Sequence, residues 1–281
     1  MRLILTLLCR NEADIIQAVV EYHLARGVDF IIATDNGSTD GTAEILSSYA
    51  STGCLHLLHE SSHTHDQAAW VSRMAELALQ QYGADWLIHC DADEFWWPQS
   101  ASLKDDLAAV GEGITALEVQ RFNFLPPPLE TTPDVPFYHA QLIREIRSLN
   151  NLGRPLPPKV CHRARLGAWI GDGNHKLLID GQRISAQPFS SIEILHFPVR
   201  SLSQFERKIQ LGAEALARNP RLSADVGKTW RIFHESLLQK GSLADDYLQL
   251  RVGLDCNNRC ADTPGLMVDT RLRDALMPIL G

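Results

Sequence analysis

The fold is constrained most by short apolar runs that alternate with helical segments along the first 90 residues. Residues 3–8 are apolar at nearly every position, which is typical of strands buried on both faces of a parallel sheet. Residues 13–26 then carry apolar side chains at helical spacing, and Gly27 follows as a residue that can end the helix. Because residues 28–33 form a second apolar run, this β-α-β order predicts a right-handed crossover and an α/β fold.

The alternation continues through the first half of the chain. The next predicted elements are, in order, a helix at 43–49, a strand at 54–58, a helix at 67–80, a strand at 86–88, a helix at 102–110 and a strand at 114–119. Two proline-rich segments, residues 125–136 and 152–158, are predicted to be loops. They bracket a region that is able to cover an active site.

The second half of the chain changes from strands to helices. Residues 159–185 are predicted to form antiparallel strands, with a hairpin turn at Asp180-Gly181. A further strand at 192–195 ends at His196, and helical spacing begins at Ser203, which makes a capping box with Glu206. The sequence therefore predicts a small antiparallel sheet beside the main sheet, followed by a helical C-terminal extension.

The composition is that of a globular protein with a core. Of the 281 residues 45% are hydrophobic and 21% are charged. The net charge of -8 argues against a nucleic-acid binder, because phosphate contacts need clustered Lys and Arg. The N-terminal apolar run is too short for a signal peptide, and no stretch approaches the roughly 20 apolar residues that span a bilayer. Among the cysteines only Cys256 and Cys260 are close neighbours, which favours reduced thiols in a cytoplasmic protein.

Three carboxylates follow the strand predicted at 86–88. Asp91, Asp93 and Glu94 lie within four residues of one another, and such like charges repel. A divalent ion such as Mg²⁺ or Mn²⁺, which accepts carboxylate and phosphate oxygens, would hold them together. A solvated acidic turn explains the same residues equally well.

Polar residues also follow the first two strands. Cys9-Arg10-Asn11-Glu12 follows the first strand without any glycine, which excludes the dinucleotide-binding fingerprint. Asp35 ends the second strand and is placed to accept hydrogen bonds from a ribose or a base.

Other candidate residues have a functional and a structural interpretation. The turn with Asp172 and His175 holds two glycines, which suggests a bent backbone close to a ligand. Trp96 and Trp97 suit either stacking on a sugar or core packing. A loose group of histidines is better explained as a solvated loop than as a metal site, and it consists of His56, His59, His63 and His65.

Taken together, four stretches resemble a known family. They are Arg10-Asn11-Glu12, the run Asp35-Asn36-Gly37-Ser38-Thr39-Asp40-Gly41-Thr42, Asp91-Ala92-Asp93-Glu94, and His196. In this order and at these strand ends, residues 1–215 are similar to bacterial family-two-type glycosyltransferases of the GT-A fold. The resemblance implies a GT-A domain over 1–200, with a nucleotide-binding half at 1–98, an acceptor half at 99–200 and an extension at 201–281.

The resemblance also implies roles for individual residues. Those implied to bind the nucleotide-sugar are Cys9, Arg10, Asn11, Glu12, Asp35, Asn36, Ser38, Arg73, Asp91 and Ala92. The ligands that it implies for Mn²⁺ or Mg²⁺ are Asp91, Asp93 and His196. No acidic pair typical of the best-known members is evident, so the candidates for the general base are Asp172, Glu94 and His175.

The implied reaction moves a sugar from a UDP- or GDP-sugar to an acceptor hydroxyl with inversion. The acceptor is a glycan, a lipid-linked molecule or a small molecule, as in polysaccharide biosynthesis. The implied location is the cytoplasm, with at most peripheral association at the inner membrane and no nucleic-acid partner. Two alternatives stay open, a sugar nucleotidyltransferase and a non-catalytic protein of this fold that binds nucleotide-sugars or glycans.

Overall fold

The structure is a computed structural model that describes residues 1–61, 66–131, 134–150, 153–219, 227–254 and 263–281. These residues divide into two compact units. The first unit contains residues 1–61, 66–121 and 157–195. The second contains residues 122–131, 134–150, 153–156, 196–219, 227–254 and 263–281. Of the candidates above, His63, His65, Cys256 and Cys260 lie outside the described residues.

The described strands and helices are numbered in chain order. The strands are β1 (Leu3–Cys9), β2 (Phe30–Asp35), β3 (Leu55–His59), β4 (Trp86–Asp91), β5 (Glu94–Pro98), β6 (Ala116–Val119), β7 (Arg121–Asn123), β8 (Ile143–Glu145), β9 (Lys159–Arg163), β10 (Ala168–Ile170), β11 (Leu177–Ile179), β12 (Gln182–Arg183), β13 (Gln187–Pro188), β14 (Ile192–His196) and β15 (Leu266–Val268). The helices are α1 (Ile16–Ala25), α2 (Thr42–Thr52), α3 (Gln67–Tyr82), α4 (Leu103–Ala108), α5 (Phe137–Ala140), α6 (Leu202–Ala217), α7 (Lys228–Lys240), α8 (Ala244–Gln249) and α9 (Arg271–Leu280).

The first unit is built on a mixed sheet whose described strands have the order β13-β6-β9-β4-β1-β2-β3. Strands β4, β1, β2 and β3 are parallel, whereas β9 runs antiparallel to both β4 and β6. Helix α3 packs Val71, Met74 and Ala78 against Ile4 and Leu87 of the sheet. Full burial of a Val, Leu, Ile or Met side chain contributes about 1.5–3 kcal/mol to stability, and the methyl group of Ala78 contributes less. The predicted α/β class, a mixed sheet flanked by helices, is confirmed.

The register of the parallel strands brings three strand ends to one edge of the sheet. Cys9, the last residue of β1, lies opposite Asp35 at the end of β2. On its other side β1 places Leu8 opposite Asp91, the last residue of β4. Because neighbouring strands lie about 4.8 Å apart, the polar segments that follow these strands are adjacent in space.

Two smaller sheets complete the first unit. Strands β10, β11 and β12 form an antiparallel sheet, as predicted, and the turn at Asp180-Gly181 has φ values of 51° and 78°. Positive φ at both central residues is the geometry of a type I′ hairpin. Strand β5, which the sequence analysis did not predict, neighbours β14 and buries Trp96 completely, so Trp96 packs in the core.

The second unit contains the helices of the C-terminal extension. The predicted cap at Ser203 is wrong, because helix α6 begins two residues earlier and the Oγ atom of Ser201 accepts the Gln204 N–H at 3.1 Å. Glu206 instead accepts hydrogen bonds from Ser242 and Leu243. The extension also contributes one strand, since β15 pairs with β8. In the described residues no helix has the length and apolar character that crossing a membrane requires.

Candidate active site

The segments that follow β1 and β2 are tied together by hydrogen bonds. Asn11 donates its backbone N–H to the Ser38 hydroxyl at 2.9 Å and accepts the Thr39 N–H at 2.8 Å. Asn11 has a φ of 56°, a left-handed conformation that asparagine tolerates better than most residues. The Glu12 N–H reaches the Thr42 hydroxyl at 2.8 Å. We name residues 9–12 and 35–42 the paired loops.

Asp35 is the buried carboxylate of the paired loops. Its two oxygens accept the Ser38 N–H at 3.3 and 3.2 Å, a local bond that fixes the turn. Asn36 is also buried, and its backbone N–H binds the carbonyl of Cys9 at 2.9 Å. Burial, together with the carboxylates of Asp35 and Glu12, raises the pKa of the Cys9 thiol. Cys9 is therefore a neutral thiol, not a nucleophile.

Arg10 offers a donor at the same edge of the sheet. Its Nε atom is buried and has no hydrogen-bond partner in the part of the chain that the structure describes. An unpaired buried donor is costly, which makes this nitrogen a candidate for binding an anionic or carbonyl oxygen of a ligand.

The acidic residues form the tight connection between β4 and β5. Asp91 ends β4, Ala92 and Asp93 make the turn, and Glu94 begins β5. Ala92, Asp93 and Glu94 are buried, whereas the Asp91 side chain is 31% exposed. Because three of the four residues are buried, the interpretation as a solvated acidic turn does not hold.

A buried lysine neutralises this connection. Lys159, the first residue of β9, places its Nζ atom 2.5 Å from Asp91 Oδ2 and 3.1 Å from Glu94 Oε1. Arg121 adds a second cation 3.3 Å from Glu94 Oε1, and Glu94 Oε2 accepts the Asp91 N–H at 3.2 Å. We name Asp91, Asp93, Glu94, Arg121 and Lys159 the charge cluster. The chain thus supplies part of the positive charge that the sequence analysis assigned to a metal ion.

The pairing between Asp91 and Lys159 outweighs the cost of burying them. Burial raises the pKa of Asp91, but the attraction of Lys159 outweighs this effect, so the net shift of the pKa is downward. Burial lowers the pKa of Lys159, but Asp91 and Glu94 raise it, so the net shift is upward. Both groups are therefore charged at neutral pH.

The second oxygen of Asp91 is bound by two amides. Asp91 Oδ1 accepts from Gln67 at 3.0 Å and from Asn174 at 3.2 Å. With Lys159 on Oδ2, three of about four lone-pair positions of this carboxylate are used, which leaves one for a further cation. Asp93 adds a second hard carboxylate, so the donor set fits Mg²⁺ or Mn²⁺.

The glycine-containing turn lies against Asp91. Residues 172–174 form a 3-10 turn, in which the Gly173 N–H donates to the side-chain oxygen Oε1 of Gln67 at 3.0 Å. Gly173 has a φ of 69°, and a Cβ atom there would lie 2.5 Å from His175 Nε2, so the position requires glycine. Asp172 is exposed. The turn therefore brings Asp172 within two residues of an amide bound to Asp91.

The three candidates for the general base have different surroundings. Glu94 is wholly buried, and its Oε1 atom is already bound to the two cations Lys159 and Arg121. Burial, Lys159 and Arg121 lower the pKa of His175 to about 3, and its Nδ1 lies 2.8 Å from the Pro158 carbonyl oxygen. Of the three, Asp172 is the carboxylate exposed to solvent.

Two further predicted site residues, Arg73 and His196, have contacts of their own. Arg73 is 51% exposed on α3, and its guanidinium lies 3.8 Å from Glu60 in a surface ion pair. His196 belongs to the second unit, where its Nδ1 lies 2.7 Å from Asn123 Oδ1. The roles predicted for both residues stay predictions.

Sequence reasoning missed Lys159, Arg121, Gln67 and Asn174. Lys159 begins strand β9, and the next three residues of this strand are buried. A lysine directly beside a buried run indicates an acidic partner for its charge. The other three carried no signal, because polar residues at helix starts and in turns are common.

One known protein family matches the part of the sequence that forms this site. The sequence profile of glycosyltransferase family 92 matches residues 8–192, which include the paired loops and the charge cluster. A search of curated proteins gives no match. The match supports a GT-A glycosyltransferase and names family 92, not family two.

The chain is also similar to solved structures, among them the following two. S. aureus TarS 1–349 in complex with UDP-GlcNAc is 14% identical, covering 92% of this chain and 77% of that chain, with a TM-score of 0.43. Glucosyl-3-phosphoglycerate synthase from Mycobacterium tuberculosis, in complex with Mn²⁺, UDP and glucosyl-3-phosphoglycerate, is 22% identical, with a TM-score of 0.31. That match covers 43% of this chain and 44% of the synthase, so the chain spans less than half of that enzyme.

Proposed function

Since the chain belongs to glycosyltransferase family 92, we propose that it transfers a sugar from a UDP- or GDP-sugar to an acceptor hydroxyl. The observation that carries this proposal is the register of the parallel strands. It places Cys9, Asp35 and Asp91 at neighbouring strand ends, so the paired loops and the charge cluster share one edge of the sheet. Ligands of open α/β sheets bind at this edge, beyond the carboxyl ends of the strands.

The paired loops are proposed to hold the nucleotide. Asp35 would accept hydrogen bonds from the ribose or the base, and Asn36 and Ser38 lie beside it. Arg10 has a buried Nε atom without a partner among the described residues, which suits a base carbonyl or a phosphate oxygen. Cys9, Asn11 and Glu12 complete the proposed contact set. Their bonds across the two loops make the surface rigid before a ligand binds.

The charge cluster is proposed to receive the diphosphate. A divalent ion, Mn²⁺ or Mg²⁺, is proposed to bind the three ligands that the sequence resemblance implies, Asp91, Asp93 and His196. When bound, such an ion neutralises charge on the leaving diphosphate. Lys159 keeps Asp91 ionised and fixed in position, and Ala92 lets the backbone turn beside it. We also propose that Arg73 moves from its surface ion pair to the diphosphate.

Asp172 is our proposed general base. Its exposed carboxylate is open to an acceptor, whereas Glu94 is bound to Lys159 and Arg121 and His175 is a weak base. Asp172 would take the proton of the acceptor hydroxyl as the hydroxyl oxygen attacks the anomeric carbon and the nucleoside diphosphate leaves. This single displacement inverts the anomeric configuration. Replacement by Asn would lower kcat more than KM, since Asn cannot accept that proton.

The finer parts of the proposal concern the acceptor and the cell. The acceptor is proposed to be a glycan, a lipid-linked molecule or a small molecule, as in polysaccharide biosynthesis. A cytoplasmic location with at most peripheral membrane association also stays a proposal. The family match favours sugar transfer over a nucleotidyltransferase or a non-catalytic binding protein.

A thermal-shift titration with UDP and GDP, each with and without Mn²⁺, tests the proposal. We expect one nucleotide to raise the Tm in an Mn²⁺-dependent way, and Asp93→Asn to abolish that rise. Asp245→Asn, on an exposed residue of helix α8, makes the same chemical change elsewhere and should keep the rise. If neither nucleotide shifts the Tm of the unaltered protein, the proposed donor class is wrong.

A further inference from the structure

We propose that Asn123 and Glu145 are positioning residues that hold His196 in its Nδ1-protonated tautomer, with Nε2 as the metal-binding atom. All three residues belong to the second unit. The inference rests on the proposed function in one respect, the assignment of His196 as a metal ligand. It adds the residues that prepare this histidine for the ion.

The first step is the contact between His196 and Asn123. The Nδ1 atom of His196 lies 2.7 Å from the side-chain oxygen of Asn123. An amide oxygen only accepts hydrogen bonds, so the imidazole must donate and Nδ1 carries the proton. In a neutral imidazole the other nitrogen, Nε2, then holds the lone pair that a metal ion needs.

The second step fixes which end of the Asn123 amide faces the histidine. The Oδ1 atom of Asn123 is the end of the amide that lies against His196 Nδ1, so the NH₂ group points away from the imidazole. The Asn123 side chain also hydrogen-bonds to Glu145, and a carboxylate oxygen accepts from an NH₂ group. The amide thus joins the imidazole to the carboxylate, with its oxygen towards His196.

Backbone contacts hold this relay in place. The Asn123 N–H donates to the Ser148 hydroxyl at 2.7 Å, so Ser148 and Glu145 anchor Asn123 at two atoms. The Phe124 N–H donates to the carbonyl oxygen of His196 at 2.8 Å. On the other side of Glu145, the buried Arg144 is bound to Asp269 at 2.7 Å. The imidazole and the amide are thus both attached to fixed backbone.

A fixed tautomer matters because an imidazole exchanges its proton between the two nitrogens when nothing holds it. A partner on the second nitrogen orients the ring and increases its basicity, and loss of such a partner typically weakens metal binding about 10–100-fold. The alternative is that these bonds serve only to pack the second unit. If the role is purely structural, replacing Asn123 changes the free energy of unfolding but not the tautomer of His196.

Nitrogen-15 NMR of the histidine side chains reads the tautomer directly in the full chain without metal. We expect His196 in the Nδ1-protonated form, with its resonances assigned by comparison with His196→Gln. Asn123→Leu keeps the approximate volume and removes the acceptor, so both tautomers should be populated. Glu145→Gln retains an oxygen that accepts the Asn123 NH₂ group, so it should behave as the unaltered protein does. An Nε2-protonated His196, or an unchanged tautomer in Asn123→Leu, overturns the proposal.

A second measurement separates this inference from the proposed function. Titration of Mn²⁺ in the presence of UDP, followed by electron paramagnetic resonance, should show a Kd about 10–100-fold higher for Asn123→Leu. Equal Kd values for the two proteins would overturn the link between tautomer and ion. Absence of any Mn²⁺ binding to the unaltered protein contradicts the proposed function, whereas the NMR result alone decides whether Asn123 orients the imidazole.

Discussion

The paired loops and the charge cluster occupy one edge of the same sheet, but they are held by different forces. The paired loops are joined mainly by neutral hydrogen bonds, such as the one from Glu12 to Thr42. The charge cluster is held by ion pairs around Lys159, whose Nζ lies within 3.1 Å of two carboxylates. The first arrangement tolerates salt and changes of pH, whereas the second fails when one partner is removed. The difference teaches that a polar site can be rigid through geometry or through charge balance.

The largest effect is expected from Lys159→Met, which removes the buried cation. Glu94 then loses one of the cations that neutralise it, and loss of one partner of a buried pair costs about 3–5 kcal/mol. Urea unfolding of the full chain measures this change in the free energy of unfolding. The double variant Lys159→Met with Glu94→Gln should recover part of the loss. A cost below about 1 kcal/mol would mean that charge balance does not hold the cluster.

The second largest effect is a loss of stability at low pH, which we expect from the buried histidine His23. His23 donates to the Val19 carbonyl oxygen at 2.7 Å and accepts the Trp96 N–H of β5 at 3.2 Å. Burial lowers its pKa to about 4, below the value near 6.5 of the unfolded chain. Its neutral form therefore contributes stability above about pH 6.5, which is lost as the pH falls towards 4. The change amounts to as much as about 3 kcal/mol.

Urea unfolding between pH 7 and pH 4 measures the contribution of His23. The variant His23→Gln should have a shallower dependence on pH, because one of the buried histidines that titrate in this range has been removed. Parallel curves for the two proteins would show that His23 is not the group responsible.

A smaller loss is expected when the paired loops are separated by Thr42→Val. Valine keeps the shape of the buried threonine and removes the hydroxyl that binds Glu12 and Asp40. A buried N–H left without a partner costs about 1–3 kcal/mol. Because the bond from Glu12 is neutral, the loss should be similar at 0.05 M and 0.5 M salt, as measured by urea unfolding. A strong salt dependence would contradict the contrast between the two regions.

The smallest effect on stability is expected from Arg73→Ala. Arg73 makes an exposed pair with Glu60 at 3.8 Å, and such pairs contribute about 0–1 kcal/mol. The proposed function nevertheless predicts weaker binding of the nucleotide diphosphate, measured by calorimetry. Arg218→Ala removes a comparable exposed pair with Glu214 and should leave binding unchanged. Equal affinities for the two variants would exclude Arg73 from the diphosphate site.

The parallel part of the sheet could be predicted because its strands are continuous apolar runs. Residues 3–8 and 86–88 have no polar face, and both proved to be the buried bodies of strands β1 and β4. Asp35 ends strand β2 and Asp91 ends strand β4, and the apolar runs of these strands predict a polar residue at each end. The prediction of a glycosyltransferase is confirmed through the match to family 92.

The partners of the charge cluster could not be predicted, since they come from distant parts of the chain. Lys159 meets Asp91 because β9 lies next to β4 in the sheet, and Arg121 reaches Glu94 from the start of β7. No local pattern encodes either placement. The cap of α6 was placed at Ser203 because Glu206 follows at the right spacing, but Ser201 has Gln204 at the same spacing. Local signals could not choose between these two serines.

The distance in sequence between Asp91 and Lys159 has a consequence for biosynthesis. The lysine follows the aspartate by 68 residues, and chains grow at about 5–20 residues per second. For about 3–14 s the nascent chain thus carries its acidic turn without the cation that balances it. We expect the strands before Asp91 to stay only partly assembled on the ribosome, and strand β9 to complete the sheet and its charge balance in one step.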